Sequence, residues 1–247
     1  MIRVIVNGAK GNMGRTTVQA ISDDPGLTCV ASCDVDTPLA AAMAHTSPQV
    51  VVDFTRPEGV FENAKTVLRA GVAAVIGTTG LSQDELRQLD ALAREQGTGI
   101  AVCPNFAIGA ILMMQFAAKA ARYMDTVEII EYHHPQKADA PSGTAIKTVD
   151  MMMASHPRVN ADAMGLQQTE RIAGSKGGYY HNVPIHSVRL NGYLASQDVI
   201  FGAAGQRLVI RHDSLDRSSF MPGVCLAIKK VLSVRGLVYG LEHFIDD

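Results

Sequence analysis

Short apolar runs and helical patterns alternate through the first hundred residues. Residues 2–6 (IRVIV), 28–33 (TCVASC), 49–53 (QVVVD), 72–76 (VAAVI) and 99–103 (GIAVC) are brief, nearly continuous apolar stretches, which predicts buried strands. Between them, 12–22, 57–70 and 82–96 carry the spacing of amphipathic helices, and Ser82 followed by Glu85 is a capping box at the start of the last. Strands alternating with helices predict an α/β fold, here a Rossmann-like doubly wound parallel sheet with right-handed crossovers.

The pattern changes after residue 106. Residues 108–123 predict a Met- and Ala-rich helix, 126–134 (TVEIIEYHH) a strand and 143–154 a helix, whereas 157–182 is polar with no clear period. Three β-like runs follow at 184–190, 194–202 and 206–212, and a helix over 217–234 precedes a short tail. Consecutive strands without intervening helices predict a C-terminal α+β domain with a mixed sheet. The expected division is 1–106 with 217–247 as one domain and 107–216 as the other. Two connections, near 105–110 and 212–218, then join them, with Gly109 a candidate pivot in the first.

Composition narrows the class. In 247 residues, 47% are hydrophobic and 19% charged, which is ordinary for a globular protein with a real core. A net charge of −2 gives no electrostatic case for nucleic acid or for an anionic membrane, and no apolar run is long enough to span a bilayer. Cys29, Cys33, Cys103 and Cys225 have neither zinc spacing nor a disulfide pattern, so free thiols in a reducing, cytoplasmic setting are expected.

Two constellations carry chemistry. The first is Gly8-Ala9-Lys10-Gly11-Asn12-Met13-Gly14, directly after the first strand and at the start of a helix. Glycines at these spacings permit a tight turn, close approach of backbone to a pyrophosphate, and helix–strand packing, while the helix start offers N–H groups to the phosphates. Asp34, at the end of the second strand, is placed to bind the adenosine ribose. It favours NADH, and Lys10 or Arg15 could neutralise the 2′-phosphate of NADPH, so use of either coenzyme is expected. Gly77-Thr78-Thr79-Gly80 and Cys103-Pro104-Asn105-Phe106 follow the fourth and fifth strands, at the carboxyl ends where ligands bind in such sheets, and Asn105 can pair with a carboxamide.

The second constellation is EYHHPQKADAPSGTA, residues 131–145. Glu131 and His133 share a strand face and His134 points the other way if the pleat continues, so the two histidines serve separate functions and no metal site is expected. Ser142 is a good N-cap, so the N–H groups of Gly143, Thr144 and Ala145 mark a helix start that binds carboxylate or phosphate. Lys137 adds a point charge and His134 a donor, beside a histidine and a lysine able to supply protons. The pattern predicts hydride transfer with proton donation to a small anionic molecule.

This stretch also resembles the signature of the dihydrodipicolinate reductase (4-hydroxy-tetrahydrodipicolinate reductase) family of lysine and diaminopimelate biosynthesis. The resemblance extends to NGAKGNMG, VVDFTRPEGVFEN, GTTGL, PNFAIGA, HSVRLNG and RSSFMPGV. It implies His133 as the catalytic histidine and Lys137 as the proton-donating lysine. It further implies His134, Gly143 and Thr144 as ligands of a dicarboxylate substrate, with Ser142 as neighbour and Arg217 as a further carboxylate partner. Residues 8–14, Asp34, Gly77–Thr79 and Pro104–Phe106 would hold NADH or NADPH. A homotetramer built through the C-terminal sheets is implied as well, which would make 107–216 a substrate-binding and tetramerisation domain. Two other readings compete: a two-domain NAD(P)-dependent dehydrogenase acting on an amino acid such as aspartate, and a non-enzymatic NAD(P)-binding regulator. The first leaves the 131–145 cluster without a specific use, and the second lacks a basic stripe.

Overall fold

The computed structural model describes residues 1–161 and 169–245. Residues 162–168, within the stretch that showed no clear period, and the last two residues lie outside the described part. The chain forms two compact units, one made of Met1–Ile108 and the segment from Arg217 onward, the other of Gly109–Asp216.

The first unit is built on a six-stranded parallel sheet. Its strands are β1 (Ile2–Asn7), β2 (Leu27–Cys33), β3 (Val50–Asp53), β4 (Ala73–Ile76), β5 (Gly99–Val102) and β11 (Gly236–Tyr239), in the spatial order β11-β5-β4-β3-β1-β2. Every residue of β3, β4 and β5 is buried, as strands covered on both faces must be. The helices are α1 (Asn12–Asp23), α2 (Leu39–Thr46), α3 (Pro57–Arg69), α4 (Gln83–Glu95) and α7 (Met221–Val231). Ile5, Val51, Leu68, Ile76, Leu89 and Ile100 belong to one buried apolar cluster. The capping box is present at α4: Glu85 N–H donates to Ser82 Oγ at 3.3 Å, and Ser82 N–H to Glu85 Oε2 at 2.7 Å.

The end of the chain departs from expectation. The segment read as one helix over 217–234 is a 3₁₀ turn (Arg217–Phe220) followed by α7, with Pro222 in the first turn of α7 where its missing N–H costs nothing. The expected tail contains β11, which pairs in parallel with β5 from Gly236↔Gly99 to Tyr239↔Val102. Three residues between Gly236 and Gly240, both glycines at positive φ, are too short a run to announce a strand. The helix α2 also lay outside the pattern read from sequence.

The second unit carries a five-stranded mixed sheet. Its strands are β6 (Thr126–His133), β7 (Gly178–Tyr180), β8 (Val183–Arg189), β9 (Ala195–Ala203) and β10 (Gln206–Ser214), in the order β10-β9-β6-β8-β7. Strand β6 pairs antiparallel with β9 and parallel with β8. Its alternation is clean, with Val127, Ile129 and Glu131 buried and Thr126 and Glu128 exposed. Strand β7 is an edge piece within the stretch read as aperiodic. The helices are α5 (Ile108–Ala120) and α6 (Gly143–Ser155). Gly109 lies in the first turn of α5, where a Cβ would stand 2.6 Å from Cδ2 of His212, so close packing accounts for this glycine.

Candidate active site

In the first unit β1 lies between β2 and β3, so the chain reverses direction across the sheet there and leaves a crevice at the carboxyl end of β1. The loop from Gly8 leaves β1 at that point. Gly8 has φ +82°, and a Cβ on it would stand 2.6 Å from the carbonyl oxygen of Phe54. A Cβ on Gly14 would approach the Gly8 carbonyl oxygen to 2.1 Å, so α1 packs on its own entry loop only without a side chain there. No side chain caps α1 at Gly11, which leaves its first turn open to an anionic ligand. This bare cradle fits a pyrophosphate.

Asp34 stands at the end of β2, as expected, and is tied to the glycine loop. Its Oδ2 accepts the Lys10 N–H at 2.8 Å, and its Oδ1 accepts the Val35 N–H at 2.9 Å. The Val35 and Lys10 amides hold the carboxyl below its ordinary value. The Lys10 ammonium is engaged by Asp36 at 2.5 Å, an exposed pair that raises the pKa of the lysine and lowers that of the acid. Asp36 carried no signal beyond being a second acid in the same turn.

Gly77 follows β4 over an aromatic pair. Phe54 and Phe106 pack edge to face at 5.7 Å, and a Cβ on Gly77 would lie 2.1 Å from Phe54 Cε1 and 2.9 Å from Phe106 Cε2. Thr78 is buried and donates to Asp53 Oδ1 at 3.0 Å, whereas Thr79 is exposed. Asp53, the last residue of a buried strand, carries no separate signal in the sequence. Its buried carboxylate also accepts from Asn7 (2.9 Å), Asn63 (3.0 Å) and Thr55 (2.7 Å from the hydroxyl), and so ties together the ends of β1, β3 and β4. Pro104 is exposed, and Asn105 Oδ1 accepts the Ala107 N–H at 2.9 Å, which fixes the turn into α5.

The second unit gathers His133, His134, Lys137 and the Ser142–Thr144 turn at the carboxyl end of β6 and the start of α6. The strand ends at His133, and His134 lies beyond the pleat with its Nδ1 3.2 Å from Gln136 Oε1. His133 Nδ1 is hydrogen-bonded to Glu131 Oε2. Glu131 in turn takes two bonds of 2.9 Å from the guanidinium of Arg189, on the adjacent strand β8. Burial alone would raise the Glu131 pKa, but the bonds from His133 and Arg189 outweigh it and hold the carboxyl at about 2. Lys137 Nζ lies against both oxygens of Asp139, at 2.7 and 2.8 Å, and this pairing lowers the pKa of Asp139.

Ser142 caps α6 as expected, its Oγ accepting the Ala145 N–H at 3.2 Å. A Cβ on Gly143 would meet nothing within 4 Å, so the fold does not demand glycine there, and its bareness keeps the approach to the helix start open. Arg217 opens the 3₁₀ turn before α7 and belongs to the first unit. No cluster of three or more potential metal ligands occurs among the described residues. A cavity of about 890 Å³ is lined by Thr126, Glu128, Tyr179, His186 and Arg207 among others, and neither Glu131 nor His133 lines it. Nor is any helix among the described residues long and apolar enough to cross a membrane.

A doubly wound sheet with a glycine loop at its switch point, in a chain whose other unit presents ionisable side chains at a capped helix start, defines a nicotinamide-dependent oxidoreductase. The family models described as dihydrodipicolinate reductase N-terminus and C-terminus match residues 2–106 and 109–245, and the chain belongs to the dihydrodipicolinate reductase family. Relatives named 4-hydroxy-tetrahydrodipicolinate reductase are 48% identical in Syntrophomonas wolfei (98% of each chain covered) and 46% identical in Streptococcus gordonii (99% of each). A dipicolinate-bound dihydrodipicolinate reductase from Paenisporosarcina sp. TG-14 superposes with a TM-score of 0.88 at 39% identity, over 98% of this chain and 99% of that one. An amine dehydrogenase from Mycobacterium smegmatis, at 14% identity and a TM-score of 0.63 over 98% of this chain and 95% of that one, shares the fold alone.

Proposed function

We propose that this chain reduces 4-hydroxy-tetrahydrodipicolinate, by way of dihydrodipicolinate, to tetrahydrodipicolinate, with NADH or NADPH as reductant, in lysine and diaminopimelate biosynthesis. The observation that carries the reading is the grouping of His133, Lys137 and the bare, Ser142-capped start of α6, which suits a small dicarboxylate receiving a proton. The names borne by relatives at 46–48% identity over almost the whole chain support it, as does the dipicolinate bound to the neighbour at 39% identity.

In this reading the bound coenzyme supplies the hydride, held by the Gly8–Gly14 loop, Asp34, Gly77–Thr79 and Pro104–Phe106. His133 and Lys137 serve the proton transfer. His134, the N–H groups of Gly143 and Thr144, and Arg217 take the two carboxylates, with Ser142 shaping the turn. An aspartate-type dehydrogenase leaves the His133–Ala145 cluster as a whole without a specific use. The enzyme works in the cytoplasm as a homotetramer joined through the mixed sheets; the exposed Val209 (46%) on β10, opposite Ile200 of β9, supports the joint.

The test is a coupled assay with the preceding synthase, following coenzyme absorbance with NADH and NADPH in parallel. Coenzyme oxidation that depends on freshly formed dihydrodipicolinate precursor is expected, and no such oxidation alongside reduction of NAD+ or NADP+ by aspartate would overturn the reading. Sedimentation of the purified protein tests the tetramer.

A further inference from the structure

Strands β6 and β8 run parallel, and their register sets His133 opposite Arg189 and Glu131 opposite Ser187. From that position the Arg189 side chain reaches back along β6. Its two terminal nitrogens each donate to a different oxygen of Glu131 at 2.9 Å, the two-pronged geometry that only a guanidinium provides. The same group also holds backbone. Nη2 donates to the Asp139 carbonyl at 2.6 Å, Nε to the Lys137 carbonyl at 3.3 Å, and Nη1 to the Val188 carbonyl at 2.9 Å. All three nitrogens are therefore engaged, and two of the acceptors belong to the loop that carries Lys137.

Glu131 faces the other way as well, through its bond to Nδ1 of His133. An ionised carboxylate only accepts, so Nδ1 must carry the proton and donate it, which leaves Nε2 as the ring nitrogen that can meet a ligand. The Glu131 side chain is 0% exposed, Arg189 19% and His133 14%. A buried ion pair of this kind is weak evidence for stability, because removing both charges from water costs about as much as their attraction returns. Its geometry points to another use.

We infer that Glu131 and Arg189 are positioning residues which bind the His133 imidazole and the Lys137 loop into one unit, fixing the tautomer of the first and the backbone of the second. This rests on the proposed roles of His133 and Lys137. Neither Glu131 nor Arg189 has to touch substrate. Arg189→Lys would keep the charge but lose the two-pronged bond and the carbonyl contacts. Glu131→Gln would keep the shape but lose the acceptor-only carboxylate.

Steady-state kinetics of the full chain test the inference with His133→Ala, Lys137→Ala, Glu131→Gln, Arg189→Lys, and each of the last two combined with His133→Ala. Residues that orient a catalytic group typically cost about 10–100-fold when altered. A fall of that size in kcat is expected for Glu131→Gln and for Arg189→Lys, with coenzyme KM unchanged. Placed in the His133→Ala background, Glu131→Gln should add less than about 3-fold, because groups acting as one unit are not additive, whereas Arg189→Lys should keep the part of its loss that acts through the Lys137 loop. A merely structural pair would instead give the same loss of kcat per folded enzyme for Glu131→Gln in both backgrounds, and that result overturns the inference. If Arg189→Lys fails to fold, the Glu131→Gln cycle decides alone. Near-normal kcat in Glu131→Gln alongside a large loss in His133→Ala overturns the positioning role but leaves the site reading standing. Near-normal kcat in His133→Ala removes the site reading, and the inference with it.

Discussion

The ammonium of Lys137 sits against the carboxylate of Asp139, 2.7 Å from one oxygen and 2.8 Å from the other. A dicarboxylate that is to use Lys137 must displace this neighbour. The Asp139 side chain is well exposed, and such pairs are worth at most about 1 kcal/mol. Asp139→Asn is therefore expected to lower the substrate KM by about 2–5-fold. A raised KM would mean that Asp139 guides Lys137 rather than competes for it.

Gly143 offers a cleaner probe of the anion cradle. A methyl group there meets nothing within 4 Å, and alanine is the better helix former, so Gly143→Ala should leave the melting temperature unchanged or slightly raised. The same methyl intrudes on the approach to the start of α6. An increase in substrate KM of about tenfold, or about 1.4 kcal/mol, is expected, with coenzyme KM unaffected. Unchanged substrate KM would remove the helix start from the binding site.

In the proposed reading, coenzyme choice turns on Asp34, Asp36 and Lys10. With Asp36 holding the lysine, the charge available to a 2′-phosphate is partly cancelled. Asp36→Asn should release Lys10 and lower the KM for NADPH about 2–5-fold while hardly moving that for NADH. Asp34→Ala should weaken NADH more than NADPH, since a ribose hydroxyl loses its acceptor, although both suffer from the loss of the Asp34 bond to the Lys10 amide. Initial rates with each coenzyme decide both points. A larger loss for NADPH in Asp34→Ala would show that the acid does not bind the ribose.

Glu131 also predicts how stability depends on pH. Its folded-state pKa of about 2 lies below the ordinary glutamate value of 4.5. The stabilisation is thus complete above about pH 4.5 and is lost as pH falls toward 2. At about 1.4 kcal/mol per pH unit, this amounts to something on the order of 3 kcal/mol. Denaturant unfolding of Glu131→Gln between pH 6 and 2.5 should show lower stability at the top of the range and a shallower decline toward the bottom. Parallel pH curves for the two proteins would contradict the assignment.

Much of this was legible in the sequence because the signals were local. The apolar runs of β3, β4 and β5, the Ser82–Glu85 box and the Ser142 cap depend on residues a few positions apart. What escaped depends on partners that meet only in the folded chain. Arg189 reaches Glu131 because β6 and β8 are parallel neighbours, a register that no local pattern encodes. The Lys10–Asp36 pair joins the turn after β1 to the turn after β2, so a lysine read as open to phosphate is already engaged. Strand β11 was missed for the opposite reason: its four residues carry almost no pattern, and its identity comes from lying beside β5.

The contact of Gly109 with His212 has a consequence for how such a protein can change. The second unit spans Gly109–Asp216, so the residues that meet belong to its first helix, α5, and its last strand, β10. The entering and returning segments of this unit thus meet within it, at Gly109 and His212. A segment with adjoining ends can be spliced out or exchanged as a cassette without stretching the chain that receives it. The two positions are constrained together, because any side chain at 109 would need the imidazole of His212 to give way. A graft of this unit onto another nucleotide-binding host should therefore carry Gly109 and His212 as a matched pair.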